Sequence, residues 1–237
     1  MATRLGGPHG DDAVLRSLVA GLDDEAIANL AGRDRLVLTH LMALTLVADE
    51  LLGWRAVWAL GVAAARVAAR ETEFVRNILR RLAWSLNDES GSIGWRAPQA
   101  MGAILAASPH TFPEFVPLVV SLLGLKERSF LPGVLWALGY MAACGVEGLE
   151  AARAHVRASL MAPEAPVRGL AAWCVGMMGD EEAAVLVERM QGDAAPVEYF
   201  DGRELRVLTV SELATAALRQ IGTGQRHIRQ NWGVRLD

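Results

Sequence analysis

The sequence predicts an all-α fold: a right-handed solenoid of about five stacked helix pairs, with a short β-hairpin inserted in the last pair. Three observations carry that expectation. First, Trp58-Ala59-Leu60-Gly61, Gln99-Ala100-Met101-Gly102, Trp136-Ala137-Leu138-Gly139 and Trp173-Cys174-Val175-Gly176 each end an apolar run on glycine, with the glycines 41, 37 and 37 residues apart. A period near 40 marks helix pairs that bury their apolar faces only by stacking on one another. Second, helices that are apolar nearly all round alternate with amphipathic ones. Third, β-branched and aromatic residues from Val197 to Leu208 surround Asp201-Gly202, a strong hairpin signal.

Taken in order, a capping pair is expected near 11–31, followed by pairs near 34–69, 71–107, 112–144, 146–178 and 181–221. The domain reading is therefore capping helices over 1–33, repeats over 34–221 with the hairpin at 197–208, and a polar tail over 222–237. In the first full repeat, Val57, Leu60, Val62 and Ala64 with Trp58 and Ala65 make a helix packed on both sides. Its partner carries Phe74, Ile78, Leu82 and Leu86 on one stripe and Glu73, Arg76, Asn77, Arg80 and Arg81 on the other, a solvated face. Thr111 to Glu114 and Thr209 to Glu212 fit the capping box, Pro98, Pro113 and Pro166 fit first helical turns, and Gly179-Asp180 reads as a helix stop followed by a new N-cap.

Composition narrows the function classes. Of 237 residues, 52% are hydrophobic, and 23 basic residues face 27 acidic ones for a net charge of −4, so nothing draws the chain to nucleic acid or to an anionic membrane. Lys126 is the one lysine among the basic residues, a bias read as that of a GC-rich bacterial genome. The N-terminus lacks the apolar core of a signal peptide, and the longest apolar stretch, Val134 to Val146, is 13 residues, short of a bilayer span. A cytoplasmic location is expected. Cys144 and Cys174 form no C-x-x-C and read as small core residues, reduced and unpaired. No nucleophile and base pair, no phosphate-binding glycine loop and no metal-ligand spacing stands out, so neither cofactor nor metal is expected.

The stretch from Val167 to Ala183, Val-Arg-Gly-Leu-Ala-Ala-Trp-Cys-Val-Gly-Met-Met-Gly-Asp-Glu-Glu-Ala, resembles the HEAT-like repeat of the phycobilisome-lyase type, which reads V-R-x-x-A-A-x-x-L-G-x-x-G-D-x-x-A. The last unit, with its polar insertion before the helix from Val210 to Leu218, is similar to the same family. The resemblance implies the solenoid fold and leaves several functions open, because such repeats serve lyases, hydroxylases, DNA-repair enzymes and adaptors. The iron hydroxylases of this superfamily use paired His-Glu ligands, whereas none of His9, His40, His110, His155 and His227 is followed by glutamate. The alkylpurine glycosylases use a strongly basic groove that this charge balance does not supply. An enzyme or subunit of the chromophore-lyase type is the main alternative that the resemblance leaves, and a DNA-binding glycosylase-like protein the lesser one.

The candidate site is an internal echo. Asp49-Glu50 precedes Gly53-Trp54-Arg55-Ala56, and Asp88-Glu89 precedes Gly94-Trp95-Arg96-Ala97. Stacking would align two acidic pairs, two indoles and two guanidinium groups along one edge, fitted to bind a protein or peptide. The structural alternative is that the acids cap helices, the arginines bridge repeats and the indoles wedge between layers. The second copy has a longer and more polar loop, 87–94, and Gln99 stands there in the register that Trp58, Trp136 and Trp173 share. The expected function is a non-catalytic scaffold that binds a partner through its concave face and the 87–96 edge, with Asp88, Glu89, Trp95, Arg96, Trp54, Arg55, Asp49 and Glu50 as its contacts.

Overall fold

A computed structural model describes residues 8–86, 96–125 and 128–223 of the chain. Its elements run α1 (Pro8–Gly21), α2 (Asp24–Arg33), α3 (Val37–Leu44), α4 (Glu50–Ser85), α5 (Ala97–Ala107), α6 (Val116–Ser121), α7 (Leu131–Ala143), α8 (Arg153–Ser159), α9 (Ala165–Met178), α10 (Ala184–Glu188), β1 (Pro196–Phe200), β2 (Leu205–Thr209) and α11 (Val210–Thr223). Five inner segments, the first half of α4 followed by α5, α7, α9 and α11, pack each on the next. Shorter outer helices back them, so the chain is an α-solenoid. The tail from 224 onward and the loop 87–95 lie outside the described residues.

The repeated glycines are where the layers meet. A Cβ on Gly61 would stand 2.7 Å from the Ala103 carbonyl oxygen, one on Gly102 would stand 2.9 Å from the Ala137 Cα, and one on Gly176 would stand 2.7 Å from the Ala217 Cα. At Gly139 the added carbon would enter the ring of Trp173. Each glycine therefore admits the next repeat's inner helix, with its backbone or its indole, to a distance that no side chain permits. Around this seam, Val57, Leu60, Met101, Ile104, Leu135, Leu138 and Val175 are fully buried.

Ion pairs stitch the outer layer at about one repeat's spacing. Arg35 pairs with Glu71, Arg76 with Glu114 at 2.6 Å and Arg128 with Glu164 at 3.0 Å. These bridges are exposed and stabilise little individually. Asp180 differs. It is the N-cap residue of the 3-10 turn Glu181–Ala183, as expected, but its buried carboxylate makes no capping bond and instead takes Arg157 Nε at 2.7 Å and Arg153 at 3.6 Å, bridging helices. Gly179 ends α9 in the left-handed conformation, as its sequence context predicts.

Two other local expectations are altered. The junction expected near residue 70 is not a turn: α4 runs on through a single non-helical residue, Glu71 (φ −134°, ψ 57°). No glycine or proline stands there to end the helix, so the chain bends and continues. The box at Thr209 forms reciprocally, with the Thr209 N–H donating to Glu212 at 2.6 Å and the Glu212 N–H to Thr209 Oγ1 at 3.1 Å. Thr111 makes no such cap; Pro113–Phe115 is a 3-10 turn entered from Phe112.

β1 and β2 pair antiparallel, Pro196 opposite Thr209 and Phe200 opposite Leu205. Asp201 closes the turn by accepting from the N–H groups of Arg203 and Glu204 at 3.0 and 2.9 Å, and Gly202 supplies the positive φ of 96°. An isolated hairpin is marginal in water, so what holds this one is the surface beneath it.

Candidate functional site

That surface is the aromatic face of the inner helices. The Phe200 ring stacks on Trp54 at 5.2 Å, Trp54 meets Trp136 edge to face at 4.9 Å, and Tyr199 meets Trp173 at 5.4 Å. The Trp136 indole donates to the Phe200 carbonyl at 3.1 Å. The hairpin tip reaches back to the first repeats: Arg55 Nε donates to the Arg203 carbonyl at 2.9 Å, one guanidinium nitrogen reaches Glu204 at 2.6 Å, and the other reaches the Ala20 carbonyl at the end of α1 at 2.5 Å. A segment from the last repeat thus straps the inner face down to the first.

This arrangement decides where the tryptophan stripe points. Trp58, Trp136 and Trp173 lie on the inner face, and all three are buried, the last two beside hairpin aromatics. Two of the three indoles donate hydrogen bonds, Trp58 to Asp24 at 3.0 Å and Trp136 to the Phe200 carbonyl, while Trp173 meets the Tyr199 ring edge to face. Burial raises the Asp24 carboxyl above its ordinary range, while the Trp58 N–H and the charge of Arg203 pull it back. Burial likewise pushes the Cys174 thiol up, and neither Cys174 nor Cys144 forms a disulfide.

The predicted edge divides into three groups. Glu50, Trp54 and Arg96 come together around a cleft of about 410 Å³ that also touches Leu46, Val47 and Gln99. Asp49 does not join them; its carboxylate caps α4 through the Leu52 N–H at 3.0 Å. Arg55 turns to the hairpin. Asp88, Glu89 and Trp95 lie outside the described residues. Arg96 is only 7% exposed, donating to the Thr45 carbonyl at 2.7 Å and pairing with Glu50 while its guanidinium lies over Gly53. Arg55 and Arg96 thus play one structural part, each donating to a carbonyl at the C-terminal end of the preceding outer helix.

The residue at the centre of the site is Gln99. It is 6% exposed, lies against Gly133, and its Oε1 is buried without a donor among the described residues. An acceptor left unpaired in a protein interior costs about 1–3 kcal/mol. Gln99 and Trp54 line both the 410 Å³ cleft and a second, larger one of about 540 Å³. The larger cleft is walled by Phe130, Pro132 and Gly133 around the start of α7, Pro166 and Leu170 of α9, and Val197, Glu198 and Val207 of the hairpin. Two departures from the repeat meet at its wall: Gln99 stands where the other repeats carry tryptophan, and Gly133 stands at the position, six before the seam glycine, that Arg55 and Arg96 hold. Gln99 was legible as an exception to the stripe, but its pairing with Gly133 spans two repeats and shows only in the fold.

Among the described residues, no group of three His, Cys, Asp or Glu side chains is placed to hold a metal ion. α4 is the one described helix long and apolar enough to cross a membrane, and 67% of its apolar window is buried in the fold.

The architecture defines the class, an α-solenoid of stacked helical repeats. No protein-family model matches the chain. It is 28% identical over 168 residues to an uncharacterized protein of Archaeoglobus fulgidus, covering 70% of this chain and 86% of that one. Among solved structures, a designed armadillo repeat protein superposes with a TM-score of 0.51 at 20% identity, over 92% of this chain and 96% of its own. An archaeal HEAT-like repeats protein from Thermococcus onnurineus NA1 gives a TM-score of 0.43 at 19% identity, covering 90% and 80%.

Proposed function

We propose that this protein is a non-catalytic scaffold of the cytoplasm, binding a partner polypeptide along the edge where the inner helices begin. The observation that carries the reading is the pair of clefts that share Trp54 and Gln99, the larger of them lined mainly by apolar side chains and the smaller by Glu50 and Arg96 as well. Apolar anchors in desolvated pockets with a few polar groups to fix register are what polypeptide recognition uses. The inner face expected to bind the partner is already occupied by the hairpin, which moves the binding surface to this edge. The same occupancy argues against the chromophore-lyase alternative, which calls for a deep apolar pocket on that face.

A photo-reactive amino acid tests the reading. Val207 is 68% exposed on the rim of the larger cleft and Leu46 is 59% exposed on the smaller, while Val185 is 59% exposed on α10 and lines neither. Crosslinking in cells from positions 207 and 46 is expected to capture the same protein, with none from 185. Equal capture from all three positions would contradict the proposal.

A further inference from the structure

The hairpin ends in an open edge. In an antiparallel pair, opposed residues alternate between exchanging their main-chain hydrogen bonds and pointing those groups outward. The Asp201 N–H donates to the Glu204 carbonyl at 3.1 Å beside the turn, and the Val210 N–H donates to the Ala195 carbonyl at 3.0 Å at the far end. Those two bonds set the alternation: Tyr199 bonds Arg206 and Val197 bonds Leu208, while the main-chain groups of Leu205, Val207 and Thr209 point away from β1. On β1 the corresponding outward carbonyl, that of Phe200, is the one that accepts from Trp136. The Thr209 N–H is taken by Glu212, whereas the outward groups of Leu205 and Val207 take no hydrogen bond among the described residues. Such an edge is a template for another strand, and proteins guard it with lysine, proline or a covering element. β2 carries neither residue, Val207 at its middle is 68% exposed, and its one charged side chain, Arg206, pairs with Asp201.

We infer that β2 is completed by an extended segment of the partner polypeptide, added as a third strand with a lysine or arginine directed at Glu198. The assignment rests on the scaffold reading above and adds the mode of binding and the chemistry of the segment. Two observations select this occupant. Main-chain donors and acceptors at strand spacing are matched by another extended backbone, whereas a helix uses its own internally. Glu198 stands opposite Val207, exposed and without an ion pair among the described residues, and among those residues it is the one charged side chain lining the larger cleft. Opposed residues share a face, so Glu198, Leu205 and Val207 lie on the side of the hairpin that borders the cleft. Every second side chain of the added strand falls on that side, where a basic one crosses Val207 toward Glu198 and apolar ones enter beside Leu205. An acidic segment would meet Glu198 with like charge.

The probe is a phage-displayed library of random octapeptides, selected on the full chain. Wild type is expected to enrich sequences in which β-branched or aromatic residues alternate with polar ones and a lysine or arginine is present. The strongest synthetic peptide, N-methylated at one residue at a time, is expected to lose roughly tenfold in affinity at alternate residues, those whose N–H meets β2, and little at the others. Val207→Pro removes one outward N–H without touching a bond to β1, and is expected to bind the peptide roughly tenfold more weakly. Val207→Thr, which keeps the N–H, is expected to bind as wild type does, and Glu198→Gln to lose the preference for the basic residue; a melting curve confirms that each variant is folded. A response to N-methylation that does not alternate, or undiminished binding by Val207→Pro, would overturn the inference. So would a wild-type dimer in sedimentation equilibrium that Val207→Pro dissociates, which would assign the edge to a second copy of this chain. Crosslinking from position 46 separates the inference from the broader reading. A partner captured there equally with and without Val207→Pro breaks the strand assignment and leaves the scaffold standing. An alternating response with no captured partner keeps the strand-adding edge and removes its cellular occupant.

Discussion

The seam glycines and the stripe three residues before them lie on the same helices, yet they behave differently from repeat to repeat. Gly61, Gly102, Gly139 and Gly176 never vary, and each admits the backbone or the ring of the next layer. The stripe holds Trp58, Gln99, Trp136 and Trp173, varying once, and at that variation a cleft opens. The seam glycine is repeated without exception; the stripe position admits one exception, although its tryptophans also contribute to packing. Function is therefore sought in the stripe and not in the seam.

The largest effect is expected at a filled stripe position. Trp136→Ala removes a buried indole, its hydrogen bond to Phe200 and its contact with Trp54, and should cost about 4 kcal/mol in urea denaturation. A loss below about 1 kcal/mol would mean that the stripe contributes little to packing and that its interruption carries no information. At the seam, Gly102→Ala drives a methyl group to 2.6 Å from the Ala137 Cβ, and should cost about 3 kcal/mol by the same measurement. A neutral outcome would show that the layers slide apart freely and that the glycines are not what sets their spacing.

The strap provides a smaller contrast. A solenoid's stability is otherwise a sum of neighbouring terms, and Arg55 ties residues about one and a half hundred positions apart in the chain. Arg55→Ala should lose about 1 kcal/mol, given its partial exposure, and should raise amide exchange in β1 and β2 more than in α9. Uniform exchange across both regions would place the tether's role elsewhere.

The outer ion pairs supply the smallest effect, through pH. Hydrogen bonds from arginine hold the carboxyls of Glu73, Glu114, Glu164 and Asp193 below their ordinary values. Their contribution is fully present above the unfolded-chain pKa near 4 and is lost as pH falls through the depressed folded values. Asp24 runs the other way, since a carboxyl raised by burial favours the folded state once it is protonated. Thermal melts should therefore show Tm falling below about pH 4. Glu114→Gln should flatten that fall slightly, and Asp24→Asn should steepen it by removing the opposing group.

Most of the fold was legible because stacking imposes a period on the sequence. The four glycines, the first-turn prolines Pro98 and Pro166 and the Thr209 box announced local structure that formed as read. The site was legible only in part. Asp201-Gly202 announced a hairpin, but nothing local told that its tip reaches Arg55 or that Phe200 seats on Trp54. An arginine at a helix start reads equally as a ligand contact or a bridge, and the choice for Arg96 depended on where Thr45 and Glu50 of the preceding repeat stood. Gln99 was visible as an irregularity; its significance came from Gly133, which a single-repeat reading does not connect to it.

The account's central claim is that a partner polypeptide is bound along the edge where the clefts at Trp54 and Gln99 meet. Crosslinking in cells from photo-reactive residues at positions 207 and 46, with 185 as the control, tests it most directly. The account predicts that 207 and 46 capture the same protein and that 185 captures none. Equal capture from all three positions would contradict it.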